Sequence, residues 1–315
     1  MTVATIDLST PDGVLQDCCR TVGSVFTVSQ KTFRAVLGTA LGSLSVIIFT
    51  GALVRLTGSG LGCSDWPRCN STTFVDVSTG HTLIEQANRL FTGVVSFSVI
   101  AAVLLAYVRA PRRKDLVLLA WGLVVGVLVQ IVIGGIVVLT GLNPYANMAH
   151  FLVSLILVAN AFVLYRRSGE QPPTYFRAGP ARIVVAIRLV AVSCVLALVT
   201  GTVVTATGPH AGDENAVRFG FALTSVARVH SVTVLVTIAL IIFLAVRAKQ
   251  MNDDSNTRDA VQALLLAAVF QGAVGYVQYF NGVPVVLVAV HIVGAIALWF
   301  AVCNLAVTPS RGTVS

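Results

Sequence analysis

The most constraining feature of this sequence is a set of long apolar stretches that contain no charged residue. Residues 116–165 and residues 260–310 include no Asp, Glu, Lys or Arg. A transmembrane helix needs about 20 consecutive apolar residues, so each stretch is long enough for two helices. Turn-forming residues divide each stretch near its middle, around Pro144 and Pro284. Four further apolar segments, at 35–54, 90–108, 183–206 and 221–246, bring the prediction to eight transmembrane helices.

The low charge content excludes several classes of protein. Only 11% of the residues are charged, whereas a soluble domain typically has about 25%. We therefore exclude a soluble enzyme, a disordered chain and a nucleic-acid-binding protein. The net charge of +8 comes from basic residues that fall in alternate loops, which the positive-inside rule makes cytoplasmic. Both termini are then cytoplasmic, and the loop that contains Cys63 and Cys69 is on the outer face.

The two halves of the sequence repeat each other. Matching residues are separated by 150 positions at the end of the first and fifth spans and by 141 positions in the later spans of each half. The matching pairs are Thr50 and Thr200, Gly51 and Gly201, Gln130 and Gln271, Gly134 and Gly275, and His150 and His291. The predicted fold is an all-α membrane protein whose eight transmembrane helices form two tandem, pseudo-symmetric four-helix bundles.

The repeat also predicts the domain boundaries. We expect a cytoplasmic tail at 1–32, a first bundle at 33–167, a cytoplasmic linker at 168–182, a second bundle at 183–306 and a cytoplasmic tail at 307–315. An even number of spans separates equivalent helices, so the two bundles face the same way.

Three histidines lie near the outer ends of predicted helices. Ionisable residues inside membrane helices are candidates for function. His230 and His291 are on helices that lie diagonally across an up-down bundle, at similar depth, which suits a haem iron with two axial imidazoles. Gly294, one turn from His291, is expected to leave room for the macrocycle. The alternative for each histidine is a hydrogen-bonded polar residue at a helix interface.

The first half has a different set of ligands. His150 corresponds to His291, but Asn88 stands at the position that corresponds to His230. Asparagine is a poor haem ligand, so the iron of the first site is expected to keep one side open or weakly ligated. His81 could replace the missing ligand, but it lies about two turns earlier and is expected in the loop. The asymmetry suggests that one haem undergoes chemistry while the other transfers electrons.

Other polar residues near these histidines allow two interpretations each. Glu85 and Arg89 form either a helix-end ion pair or, for Glu85, a carboxylate that moves protons beside the first haem. Arg89 and Arg228 could bind haem propionates or anchor the chain at the membrane interface. Cys63 and Cys69 lie on the oxidising side, where a disulfide is plausible as a structural link or as a redox pair.

At this point the sequence resembles the bacterial haem A synthases. The resemblance is carried by residues 56–69, which read LTGSGLGCSDWPRC, and by Glu85, Arg89, His150, Arg228, His230 and His291 at the family's spacing. It implies oxidation of the C8 methyl group of haem O to a formyl group, by successive hydroxylations, to make haem A for terminal oxidases. It also implies a haem b cofactor held by His230 and His291, substrate haem near His150, and a catalytic role for Glu85. Asn88 departs from the family, because many members have histidine there.

The resemblance further implies a bacterial cell membrane location, a membrane haem O synthase as partner, and an unidentified electron donor. Two other functions remain possible from the residues alone. A b-type electron-transfer cytochrome predicts two bis-histidine sites, but the first half has only one histidine in place. A duplicated transporter predicts polar residues around a cavity at the membrane midplane, whereas the polar residues here cluster at the outer end.

Overall fold

The structure is a computed structural model that describes residues 28–169, 181–250 and 255–308. Within these residues there are eight long helices, each long and apolar enough to cross a membrane, so the predicted all-α, eight-span architecture is confirmed. They are α1 (Gln30–Leu56), α2 (Gly80–Val108), α3 (Lys114–Leu139), α4 (Pro144–Arg167), α5 (Ala181–Thr207), α6 (Leu223–Gln250), α7 (Ser255–Phe280) and α8 (Val285–Val307). Most of the predicted tails and of the predicted linker lies outside the described residues.

Each half forms a closed ring of four helices. In the first half α1 packs on α2, α2 on α3, α3 on α4, and α4 returns to α1. In the second half α5, α6, α7 and α8 contact one another in the same cyclic order. A separate apolar core fills each ring, with Phe33, Leu123 and Val158 among the buried residues of the first and Ile187, Ile241 and Leu264 among those of the second. The contacts therefore support the predicted tandem bundles.

The contacts between the halves follow a pseudo-two-fold pattern. Helix α4 packs on α8, α1 packs on α8, and α4 packs on α5. Helix α1 is equivalent to α5, and α4 is equivalent to α8. The α1–α8 contact is therefore equivalent to the α5–α4 contact, and the α4–α8 contact is equivalent to itself. The pseudo-two-fold axis therefore passes between α4 and α8, along the membrane normal. Trp299 on α8 strengthens this interface, because its indole Nε1 donates a hydrogen bond to the Leu155 carbonyl on α4 at 2.8 Å.

Helix α2 begins ten residues earlier than its charge-free segment predicts. The predicted start was Leu90, whereas the helix begins at Gly80 with Thr79 as its N-cap. The charged residues that ended the apolar segment, Glu85 and Arg89, form an ion pair at 2.6 Å on one face of the helix. Because the two charges compensate each other, they are compatible with the helix. His81 consequently lies in the first turn of α2, and the expectation that it belongs to the loop was wrong.

Two equivalent turns place the histidine-bearing helices α4 and α8. Gly141 and Leu142 both have positive φ, and so do Gly282 and Val283 in the second half. The backbone amide of Leu142 donates to the Val137 carbonyl at 2.8 Å, and an equivalent bond at 2.9 Å closes the second turn. The same geometry therefore starts α4 and α8, which places His150 and His291 in the second turn of their helices.

Candidate functional site

Asn88 and His230 occupy the same place in the two halves. The Thr50 hydroxyl donates to the Asn88 Oδ1 atom at 2.8 Å. In the second half the Thr200 hydroxyl lies 3.1 Å from His230 Nδ1, within hydrogen-bonding distance. The glycine after each threonine faces the same side chain. Since the contacts recur pair by pair, the structure places the first-half amide where the second half has an imidazole.

His150 and His291 are also equivalent, and both have an unused nitrogen. The Gln130 side-chain amide donates to the His150 backbone carbonyl at 2.9 Å, and Gln271 donates to the His291 carbonyl at 2.6 Å. The Nδ1 atoms of both histidines are buried and have no hydrogen-bond partner within the described part of the chain. A buried imidazole nitrogen without a protein partner is available to a ligand or a metal centre.

The second half has imidazoles on two diagonal helices, whereas the first half has one. His230 on α6 and His291 on α8 belong to helices that lie across the four-helix ring from each other. In the first half the same pair of positions holds His150 and an asparagine. The described residues contain no group of three or more His, Cys, Asp or Glu that could hold a bare metal ion. A pair of imidazoles on diagonal helices instead fits a haem iron, so the residues present in the second half fit a haem.

Gly294 does not have the role that the sequence suggested. We expected it to leave room for a flat macrocycle beside His291. A Cβ atom at this position would collide with the Gln271 side-chain oxygen. The space beside Gly294 is therefore occupied by the glutamine that binds the His291 carbonyl, and the expectation was wrong.

The loop between α1 and α2 is attached to the N-terminal end of α2. Cys63 and Cys69 form a disulfide. The Cys63 amide donates to Glu85 Oε2 at 2.7 Å, and Arg89 donates twice to Oε1. Arg89 also donates to the carbonyls of Asp65 and Arg68, both at 3.1 Å. The ion pair is therefore part of a network that holds the loop over the first half, and the Arg89 guanidinium is largely occupied by protein groups.

Two further sequence candidates lie at the edge of the sites. Arg228 is exposed, two residues before His230, and no hydrogen bond or ion pair joins its side chain to another described residue. His81 Nδ1 lies 2.9 Å from the Ser59 hydroxyl. Seven residues separate His81 from Asn88, about 10 Å along the helix, so the structure keeps His81 away from the position of the missing ligand.

Sequence reasoning missed the role of Arg55. Its Nε and Nη2 atoms donate to the His210 and Thr205 carbonyls, both at 2.7 Å. These carbonyls belong to the second half, so Arg55 ties the halves together beside a cavity of about 250 Å³ at the C-terminal end of α1. In the sequence Arg55 only marks the end of an apolar segment. Its partners are backbone atoms 150 and 155 residues away, and no pattern of side chains in the sequence predicts these contacts.

Comparison with known proteins places this arrangement in a family. Residues 34–80 and 72–303 match the sequence profile of COX15-CtaA, described as cytochrome oxidase assembly protein.

Similar proteins named haem A synthase occur in several bacteria. The Listeria welshimeri protein is 36% identical over 124 residues, which cover 38% of this chain and 40% of the relative. The Lysinibacillus sphaericus protein is 35% identical over 120 residues, with 38% and 39% covered. The Geobacillus kaustophilus protein is 34% identical over 121 residues, with 38% of each chain covered. The match thus spans about two fifths of the length of these relatives, whereas the profile covers most of this chain. The chain belongs to the COX15-CtaA family of cytochrome oxidase assembly proteins.

Proposed function

We propose that this protein is an oxidoreductase that converts haem O into haem A by oxidising the C8 methyl group to a formyl group. The observation that carries the proposal is the inequality of the two equivalent sites. The second half pairs His230 with His291, while the first half pairs Asn88 with His150. A closed bis-imidazole site suits electron transfer, and a site with one imidazole leaves a position for chemistry. The relatives named haem A synthase support the same activity.

In this proposal the two halves have different ligands. His230 and His291 hold haem b, with Thr200 fixing the orientation of the His230 ring. Bound haem b supplies one-electron chemistry at its iron. His150 would hold the substrate haem in the first half, where Asn88 stands at the position that His230 occupies in the second half. Arg228, which lacks a protein partner among the described residues, pairs with a propionate.

The reaction requires a group that takes up protons. Conversion of a methyl to a formyl group, R–CH₃ + H₂O → R–CHO + 4H⁺ + 4e⁻, proceeds through two hydroxylations and loss of water from the geminal diol. The electrons leave to an acceptor outside the chain. Glu85 lies one turn from Asn88 on α2 and is 5% exposed. We assign proton uptake to the Glu85 carboxylate, which three donors hold in place.

A charge-removing substitution tests the role of Glu85. Glu85→Gln keeps the shape of the side chain and an acceptor for the Cys63 amide, but it cannot take up a proton. We expect loss of haem A with normal haem b in cells that also make a haem O synthase, measured by chromatography of extracted haems. Asp115→Asn is the matched control, because it breaks the ion pair to Arg113 at the opposite end of the bundle. Wild-type haem A production by Glu85→Gln would contradict the assignment.

The haem content tests the proposed function itself. We expect the purified protein to contain haem b together with haem O or haem A. His230→Ala and His291→Ala should lose haem b, whereas His150→Ala should lose the substrate haem and keep haem b. Oxidised and reduced absorption spectra with haem extraction measure both. Haem b alone in both halves would instead indicate the electron-transfer cytochrome.

We also propose an orientation in the bacterial cell membrane. Both termini are cytoplasmic, the bundles extend over 33–167 and 183–306, and the disulfide loop faces outward. Cys18 and Cys19 are first replaced by serine, so that a single cysteine introduced elsewhere in the chain can be labelled. An impermeant maleimide should label Ser71→Cys in intact cells and Arg112→Cys only after permeabilisation. The reverse pattern would refute this orientation. A membrane haem O synthase is a proposed partner. Because the reaction as written releases four electrons, the second proposed partner is a separate electron acceptor, in place of the electron donor that the resemblance implied.

A further inference from the structure

The gap between α2 and α3 differs from the equivalent gap between α6 and α7. Asn88 is equivalent to His230 in the repeat, so the next residue in each half, Arg89 and Ser231, are equivalent too. In the same way Gly134 is equivalent to Gly275, and Gly135 is equivalent to Tyr276. Arg89, Gly135, Ser231 and Tyr276 thus directly follow residues of the two candidate haem sites. Any difference between them therefore changes the boundary of the site.

In the second half the helices close this gap with their own side chains. The Tyr276 hydroxyl on α7 and the Ser231 hydroxyl on α6 form a hydrogen bond of 2.5 Å. Tyr276 is 45% exposed, so the bond lies on the outer surface of the bundle. A group held between His230 and His291 is consequently enclosed on this side by a direct link between two helices.

In the first half a residue of the outer loop fills the same gap. Gly135 has no side chain, and it is buried because the Trp66 indole lies on it; a Cβ atom there would be 2.9 Å from Trp66 Cδ2. Arg89, at the position of Ser231, donates to the carbonyls of Asp65 and Arg68, which flank the tryptophan in sequence. The gap between α2 and α3 is thus closed at this point by the side chain of a loop residue, Trp66, and not by a hydrogen bond between the two helices.

We propose that the α2–α3 gap is the lateral opening through which haem O enters the first-half site from the bilayer, and that Trp66 closes it. This inference rests on the proposed function. Haem O has a long isoprenoid tail, and transfer of such a tail through water is strongly unfavourable. A passage between two helices keeps the tail in an apolar environment throughout. The half that retains its haem needs no such passage, and there the gap is joined by Tyr276 and Ser231.

The construction of the loop suits a movable closure. The base of the loop is anchored on α2, because Gly62 lies against the His81 backbone, Ser59 contacts the His81 ring and the Cys63 amide donates to Glu85. Nearer to Trp66, the loop is held by hydrogen bonds from Arg89, which can break without separating the helices. The Cys63–Cys69 disulfide encloses Trp66 in a short loop, so the indole and its flanking carbonyls move together. Tryptophan also suits the membrane interface, because its ring is apolar while its N–H remains polar.

The experiment measures haem O exchange and not turnover. Purified protein with haem b in its second half is placed in lipid nanodiscs and mixed with vesicles that contain haem O. Association and release are followed by absorption. Trp66→Ala removes the closing side chain, and Gly135→Ala displaces it with a methyl group. We expect both variants to bind and release haem O roughly tenfold faster than the wild type, as for a closure weakened by about 1.4 kcal/mol.

Tyr276→Phe is the matched control, because it breaks the equivalent link in the second half. It should leave haem O exchange unchanged and accelerate loss of haem b to an apomyoglobin acceptor. The haem b spectrum verifies folding of each variant. If the wild type binds and converts haem O but both first-half variants exchange it at the wild-type rate, the lateral opening is refuted and the proposed function stands. If the wild type binds no haem O, the proposed function fails as well.

Discussion

Substitution of Gly201 by alanine should weaken haem b binding in the second half. Gly201 on α5 faces the His230 ring, and an added Cβ atom would lie 3.1 Å from Cε1, closer than ordinary van der Waals contact. The ring must move by a few tenths of an ångström, but the Thr200 hydroxyl holds its Nδ1 atom. The substitution therefore shifts the imidazole that we propose as an iron ligand against a hydrogen bond that fixes it.

The expected magnitude follows from these contacts. Insertion of a methyl group into a packed site costs about 1–3 kcal/mol. At about 1.4 kcal/mol for each tenfold change, the affinity for haem b should fall by roughly 5- to 150-fold. A glycine-to-alanine change within a helix also adds about 1 kcal/mol of helix stability, so the protein itself need not unfold. Reduced haem content without loss of the folded protein is the expected signature.

The repeat supplies a matched control. Gly51 is the first-half equivalent of Gly201, and a Cβ atom there would lie 3.8 Å from Asn88 Nδ2, an ordinary contact. Gly51→Ala should receive the same helix stabilisation and leave haem b unaffected. Haem b per protein is measured after purification by absorption, at several concentrations of added haem, together with the thermal unfolding temperature.

One result would refute this reasoning. If Gly201→Ala retained haem b as strongly as Gly51→Ala, His230 could not be held against Gly201 as the structure shows, or it would not be a ligand. A comparison with His230→Ala separates these explanations. If His230→Ala loses haem b, His230 is still supported as a ligand, and only the argument from its packing against Gly201 is rejected.

Three further variants test how the structure is held together. Replacement of Cys63 and Cys69 by serine should lower the free energy of unfolding by about 2 kcal/mol, the value for a short closed loop, and thermal unfolding in detergent measures it. Arg55→Ala removes two charge-assisted hydrogen bonds between the halves, so the unfolding free energy should fall by about 3 kcal/mol; limited proteolysis should also become faster. Trp299→Phe removes the bond to the Leu155 carbonyl and should cost about 1 kcal/mol, detectable as a lower unfolding temperature.

Much of the fold could be predicted from the sequence because bilayer thickness sets the length of a span. The eight apolar segments correspond to the eight helices of the described residues. The start of α2 could not be predicted in this way. A hydropathy argument treats Glu85 and Arg89 as two separate penalties, whereas the folded helix places them one turn apart, where they compensate each other.

The candidate site was partly predictable because the chain contains its own comparison. The offsets alone identified Asn88 as the counterpart of His230, and the threonine contacts repeat accordingly. The positions of Trp66 and Arg55 could not be predicted. Trp66 lies in a loop that is longer than its second-half counterpart at 208–222, so the repeat offers no equivalent for it. Arg55 binds backbone carbonyls, which every residue possesses.

The pseudo-two-fold axis between α4 and α8 has an electrical consequence. Equivalent residues of the two halves lie at the same depth, so an electron that passes between the proposed sites moves parallel to the membrane plane. Displacement of one charge across the whole membrane involves about 2.3 kcal/mol per 100 mV, but a displacement within the plane involves none. The step between the halves is therefore electrically silent, and its rate should be the same in an energised cell and in a de-energised vesicle.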